Sequence, residues 1–239
     1  DTQAVFHYES RDTNPNMQYF KSKWKAWTAD IPVAKYTRLG NANKILVRYL
    51  YLLKNQADFN LCFIHGGNLR NAIAREAQAT IGLYPEEKEA ARILLNHFTA
   101  DIENELKHVD PNVQITMAST DRPDKYISDY DAENWFGFTC LPAWRDRHEP
   151  RHRRAGGNLY QLASVKMGDD NTIIVGTSQR SSIESYKNMI ANQVASVFKL
   201  AGAQVTHGDG YPGWAPNRIQ RSWKWHKRPI NVCLTKMQK

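Results

Sequence analysis

Residues 39–83 carry the pattern that most limits the fold. Asn41 can cap a helix whose apolar positions Ile45, Leu46, Tyr49, Leu50, Leu52 and Leu53 recur at helical spacing. Residues 59–64 form a short apolar run closed by Gly66 and Gly67, and residues 72–83 then alternate between apolar and polar. That succession predicts a pair of strands directly after a helix. The helix must bury its apolar stripe, and the paired strands next to it offer an apolar face to do so. The simplest result is a helix layered on an antiparallel sheet.

The rest of the chain extends the same plan. Residues 4–9 alternate as a half-buried strand does, and residues 19–27 read as a second strand. Pro85 and the acidic Glu86, Glu87 and Glu89 suit a helix start, with the helix running to Lys107. Its expected apolar side is Ala90, Ile93, Leu94, Phe98, Ile102 and Leu106. Residues 113–118 predict another strand. Residues 162–166 and 172–177 flank the polar turn Gly168-Asp169-Asp170-Asn171, which reads as a hairpin. A last helix starts at Ser181 or Ser182 and stops at Gly202, before a strand at 203–207. The expected class is α+β, a mostly antiparallel sheet with helices packed on one face. No internal repeat is visible.

Composition narrows the setting. No apolar run approaches 18 residues, so no membrane-spanning helix is expected. Cys62, Cys140 and Cys233 are odd in number and widely spaced, which argues against a disulfide framework or a zinc knuckle and for a reducing cytoplasm. Cys62 lies within an apolar strand and reads as core. The chain opens on Asp1 without a basic and apolar leader, as expected of a piece of a longer protein.

Five segments carry a family resemblance: LGNANK at 39–44, GGNLRNAIAREA at 66–77, LASVKM at 162–167, TSQRSSIES at 177–185, and LAGAQV followed by GYPGWAPN at 200–217. In this order and spacing the chain resembles the lid domain of the aminoacyl-histidine dipeptidases, also called cytosol non-specific dipeptidases. The resemblance implies residues 1–210 as a lid and 211–239 as a hinge and altered stub of a catalytic domain. It implies two zinc ions in the full-length enzyme, held outside the lid, and dipeptides as substrates. It assigns substrate binding to Asn71 and Arg180. An Arg fork matches a carboxylate bidentately, and an amide both donates and accepts. Related lids also make dimer contacts, so a homodimer is expected. No catalytic or metal-ligating residue is assigned within this chain, which is expected to be inactive alone. Ala74 stands where the family commonly has Pro.

Three blocks depart from the family. The oxyanion-stabilising Gly-Gly-His-Ser-Gly expected before Leu39 is missing, and no His lies between His7 and His65. Codons for residues 28–36 can be chosen so that a neighbouring frame reads that motif. The same holds for family-like sequence at 143–161 and 218–239, which predicts frame-shifted blocks that pack poorly. The blocks, spanning 22–37, 143–161 and 218–239, hold five of the seven Trp, including Trp24, and the last of them has seven Lys and Arg and no acid. The net charge of +8 therefore resides in them rather than in the fold.

The rival reading is a basic nucleic-acid-binding or protein-interaction module. It rests on RDRHEPRHRR at 145–154 and RSWKWHKR at 221–228, where basic residues interleave with aromatics. Coincidence with the departing blocks argues against nucleic acid as a partner. His148 and His152 have the helical spacing of zinc peptidases, but Pro150 between them and the surrounding Arg residues argue against a site. His65 and His207 end strands and read as structural. Tyr211 and Trp214 are expected to pack at the hinge.

Overall fold

The computed structural model describes residues 1–25, 40–108, 110–139, 159–181 and 183–210. Ten strands and four helices occur among them. In chain order these are β1 (Thr2–His7), β2 (Ser10–Asp12), β3 (Gln18–Lys25), α1 (Ala42–Lys54), β4 (Phe59–Gly66), β5 (Glu76–Leu83), α2 (Lys88–Leu106), β6 (Gln114–Thr120), β7 (Lys125–Ile127), α3 (Asp129–Thr139), β8 (Leu159–Gly168), β9 (Thr172–Arg180), α4 (Glu184–Leu200) and β10 (Gln204–His207). Eight strands form one antiparallel sheet in the order β10-β1-β9-β8-β4-β5-β3-β6, and β2 pairs with β7. The α+β class read from the sequence is the class observed.

The order contains a repeat that the sequence does not display. Strands β3, β4, β5 and β6, with α1 and α2, form an inner half in the spatial order β4-β5-β3-β6. Strands β1, β8, β9 and β10, with α3 and α4, form an outer half in the order β8-β9-β1-β10. Each half is strand–helix–strand–strand–helix–strand, with the second strand at one edge and the fourth at the other. The inner half is inserted into the outer one between β1 and α3. The two chain crossings, β2 and β7, pair with each other. The halves meet where β4 and β8 adjoin through two residue pairs, His65 with Lys166 and Gly66 with Val165.

One core runs under both halves. Strand alternation sends Ala4 and Phe6, Phe20 and Trp24, and Ile173 and Val175 into it, and a register shift in each of β4 and β8 adds Leu61 with Ile64 and Leu162 with Val165, against apolar residues of all four helices. The inner half centres on Trp24, Tyr49 and Phe98, whose ring centroids lie 5.3–5.8 Å apart. A smaller cluster of Met17, Tyr19 and Cys62 packs with Tyr84 and Tyr126. Burial pushes the Cys62 thiol up to about 12, as befits an inert core cysteine.

Several expectations need correction. Trp24, grouped with the departing blocks, is 1% exposed at the heart of the fold. Tyr160, near the end of the second block, is equally part of the core and lies on β8. These portions pack well. The buried side of α2 is Ala91, Leu94, Leu95, Phe98 and Ile102, whereas Ile93 is 46% exposed. Helix α3 was not anticipated. Its signal is a serine N-cap, in which the Ser128 hydroxyl accepts from Asp131 N at 3.3 Å and donates to the Asp131 carboxylate at 2.6 Å.

Candidate functional site

Antiparallel registers bring the family-like segments to one end of the sheet. Leu159 at the start of β8 pairs with Arg180 at the end of β9. Thr2 pairs with both Thr177 and His207. Lys25 pairs with Glu76 and Gln114. At the same end β4 hands the chain to the loop 67–75, and α1 begins beside it, where Ala42 N donates to Ala74 O at 2.9 Å.

The loop depends on glycine. Gly67 has φ +71°, a conformation L side chains rarely adopt, and a Cβ there would lie 1.9 Å from Ala163 O. Its N–H donates to Glu76 O at 3.1 Å and closes the base of the loop. At the tip Leu69, Arg70 and Asn71 are exposed. Asn71 and Arg180 thus share one end of the sheet, Asn71 from the inner half and Arg180 from the outer. Among the described residues neither side chain has a hydrogen bond or salt bridge.

The surroundings are cationic. The charges of Lys187, Arg180 and Arg70 all bear on the start of β1 at Asp1. Cations from three separate elements therefore converge on the start of β1. Lys187 is paired with Glu184 at 2.7 Å.

Arg180 follows a buried polar network. Thr2 Oγ1 donates to Gln179 Oε1 at 3.1 Å, Gln179 Nε2 donates to Thr177 Oγ1 at 2.7 Å, and Thr177 Oγ1 donates to Thr2 O at 2.9 Å. With its only proton committed to Gln179, Thr2 Oγ1 accepts from His207 Nδ1 at 3.0 Å. His207 itself is exposed at the end of β10. His65 stacks on Phe63 with ring centroids 6.3 Å apart.

Two asparagines of the LGNANK segment bind across the joint between the halves. Asn41 caps α1, accepting from Lys44 N at 3.2 Å, and its Nδ2 donates to Leu162 O at 2.8 Å. Asn43 is buried, and its Nδ2 donates to Gly66 O at 3.3 Å and Ala163 O at 3.4 Å. Lys44, next in line, buries its amine 5.1 Å from the centroid of the Tyr160 ring, with no hydrogen-bond acceptor among the described residues. Burial lowers its pKa to about 8.

Among the described residues no three His, Cys, Asp or Glu side chains converge on a point that could hold a metal. A cavity of about 520 Å³ lies at the opposite end, lined in part by Asp12, Asp58, Tyr84, Tyr126 and Asp129. It shares no residue with the cluster around Asn71 and Arg180. The expectations for residues 28–36, 143–158 and 218–239, for His148 and His152, and for Tyr211 and Trp214 lie outside the described residues.

Comparison with known proteins bears on the same segments. Residues 34–110, which include most of the inner half, match the M20 peptidase dimerisation domain. The chain is 30% identical over 180 residues to the cytosol non-specific dipeptidase of Escherichia coli (strain K12), covering 75% of this chain and 37% of that protein. The crystal structure of the aminoacylhistidine dipeptidase from Vibrio alginolyticus superposes with a TM-score of 0.85 at 23% identity, over 93% of this chain and 46% of that one. The chain therefore spans under half the length of either relative. The shared segments and the matching fold place this chain in the aminoacyl-histidine dipeptidase family of M20 peptidases.

Proposed function

We propose that this chain is the substrate-binding lid portion of a cytoplasmic aminoacyl-histidine dipeptidase. In this reading Arg180 takes the substrate carboxylate and Asn71 bonds the peptide group. The observation that carries it is the convergence at one end of the sheet of an exposed Asn and an exposed Arg, neither of them paired among the described residues, with Arg70 and Lys187 nearby. A buried guanidinium would already be paired. One left exposed beside other cations suits an incoming anion.

In this reading the two zinc ions of the full-length enzyme are held outside the lid; among the described residues no donor set for a metal converges. No step of this reading runs through a metal in this chain. The chain binds dipeptide and does not hydrolyse it alone. The match to a dimerisation domain supports a homodimer as the working assembly. The basic segments behind the nucleic-acid alternative lie outside the described residues, and nothing else favours it.

The test is a titration of the full chain with a Xaa-His dipeptide, followed by NMR. Arg180→Ala is expected to weaken binding roughly 10- to 100-fold, the usual worth of a charge-assisted pair. Asn71→Ala is expected to cost about 5-fold, as for a neutral hydrogen bond. Unchanged affinity in both variants would overturn the assignment. Turnover that survives repurification would overturn the claim that the chain alone is inactive.

A further inference from the structure

The two proposed substrate residues sit on different halves, so something must fix the distance between them. The loop bearing Asn71 hangs from the end of β4. Arg180 ends β9, which is paired along its length with β8. The span from Asn71 to Arg180 is therefore set where β4 meets β8, and there the backbone supplies two residue pairs. A joint so short resists sliding and hinging poorly unless side chains brace it.

We propose that Asn43 is a positioning residue, whose amide clasps the end of β4 to β8 and so sets the span between Asn71 and Arg180. Four observations meet on this side chain. It is 2% exposed. Its single nitrogen donates one proton to each strand, to Gly66 O on β4 and to Ala163 O on β8. Its oxygen fills the space beside Gly66, where an added Cβ would lie 2.0 Å from Asn43 Oδ1. Ala163 marks the point where the register between β8 and β9 shifts. Asn41 reinforces the clasp from two residues earlier by binding Leu162 O, the neighbouring carbonyl.

The chemistry requires an amide of this length. Two carbonyl acceptors need two N–H donors, which an Asn side chain offers from one atom. Asp would set a carboxylate against two carbonyls, and Leu would leave both without a donor. The clasp also accounts for features of the family-like segments that substrate contact does not use. The paired glycines let the two strands approach, and the asparagines of LGNANK hold them there.

This inference rests on Asn71 and Arg180 both touching substrate, and the experiment separates the two claims. The full chain and its Asn43→Ser variant are titrated with a Xaa-His dipeptide and with free histidine, which can reach Arg180 but is too short to span to Asn71. Asn43→Ser is preferred to Asn43→Leu because the smaller side chain cannot overpack the buried site. A second variant, Asn41→Ser, retains a cap but drops the tie to Leu162.

A misplaced anchor is expected to weaken the dipeptide about 10-fold while leaving histidine within about 2-fold. Equal losses for both ligands, or none for either, would overturn the proposal. Arg180→Ala serves as the control on the underlying reading. If it leaves dipeptide binding unchanged, that reading fails. The clasp is then judged on amide exchange alone, where Gly66, Gly67 and Val165 must exchange faster in Asn43→Ser, and unchanged exchange overturns it.

Discussion

The two halves share a topology and differ in how they reach it. The inner half is continuous from β3 to β6, and its longest strand pairing, Tyr19 with Thr120, spans about half the chain separation of the outer half's longest. The outer half must bring Thr2 to Thr177, 175 residues apart, before β1 can pair with β9. Loop-closure entropy therefore favours the inner half. Its helices are also the better braced, since Arg48 on α1 grips Glu105 on α2 through two bonds of 2.8 and 2.9 Å. In the outer half α4 leaves Tyr186, Met189 and Leu200 exposed. Equivalent folds can thus be unequal partners, one serving as the scaffold on which the other completes itself.

If that is so, damage to the inner core must unfold both. Trp24→Ala is expected to cost about 3–5 kcal/mol, a large share of a domain's stability, and to leave a single unfolding transition. Chemical denaturation followed at probes in each half checks this. An outer half that melts separately would break the picture of one shared core.

A pair of glycines sharpens the contrast. Gly67 and Gly202 have similar positive φ, +71° and +78°, but an added Cβ meets Ala163 O at Gly67 and nothing within 4 Å at Gly202. Gly202→Ala in the outer half is expected to cost about 1 kcal/mol for backbone strain alone. Gly67→Ala is expected to cost roughly 2–3 kcal/mol, because the joint itself must open. Equal shifts in denaturant midpoint would show that the β4–β8 contact has room to give.

Lys44 tests the joint from the opposite side. Its buried amine lacks an acceptor among the described residues and lies near the positive end of α1, so Lys44→Met is expected to stabilise the chain by about 1 kcal/mol at neutral pH. The sign with pH follows from the lowered pKa. Between about 8 and the ordinary lysine value the unfolded chain binds more protons than the folded one, so stability rises with pH in that window. The advantage of the methionine variant should shrink there, and a gap constant from pH 7 to 10 in thermal melts would refute the account.

The smallest effect belongs to the Arg48–Glu105 pair, which is about half exposed on both sides. Glu105→Gln is expected to cost about 0.5 kcal/mol at neutral pH. The carboxyl is held below its ordinary value by the Arg48 hydrogen bonds. The contribution is therefore present above the usual carboxylate range and lost as pH falls through the lowered pKa. A stability difference that persisted at the acid end would rule the pair out as its source.

Periodic segments were legible in the sequence. Helices α1, α2 and α4 and the hairpins around Gly66 and Asn171 follow from spacing and turn chemistry, because each is a local matter. The side of α2 was legible at Leu94, Phe98, Ile102 and Leu106 but missed at its start, where Ala91 and Leu95 are buried instead of Ala90 and Ile93. The duplication left no trace, since the halves share a pattern of elements rather than residues, and one interrupts the other. Asn71 and Arg180 emerged from motif resemblance rather than from physics. The Asn43 clasp was out of reach, since its partner on β8 lies 120 residues away.

The β4–β8 joint has one more consequence. Taken singly, each half would end in an open strand, with unpaired backbone groups ready to recruit any passing chain. Set face to face, the two open strands shield each other where they adjoin. The short seam that aligns the halves is also a safeguard against aggregation.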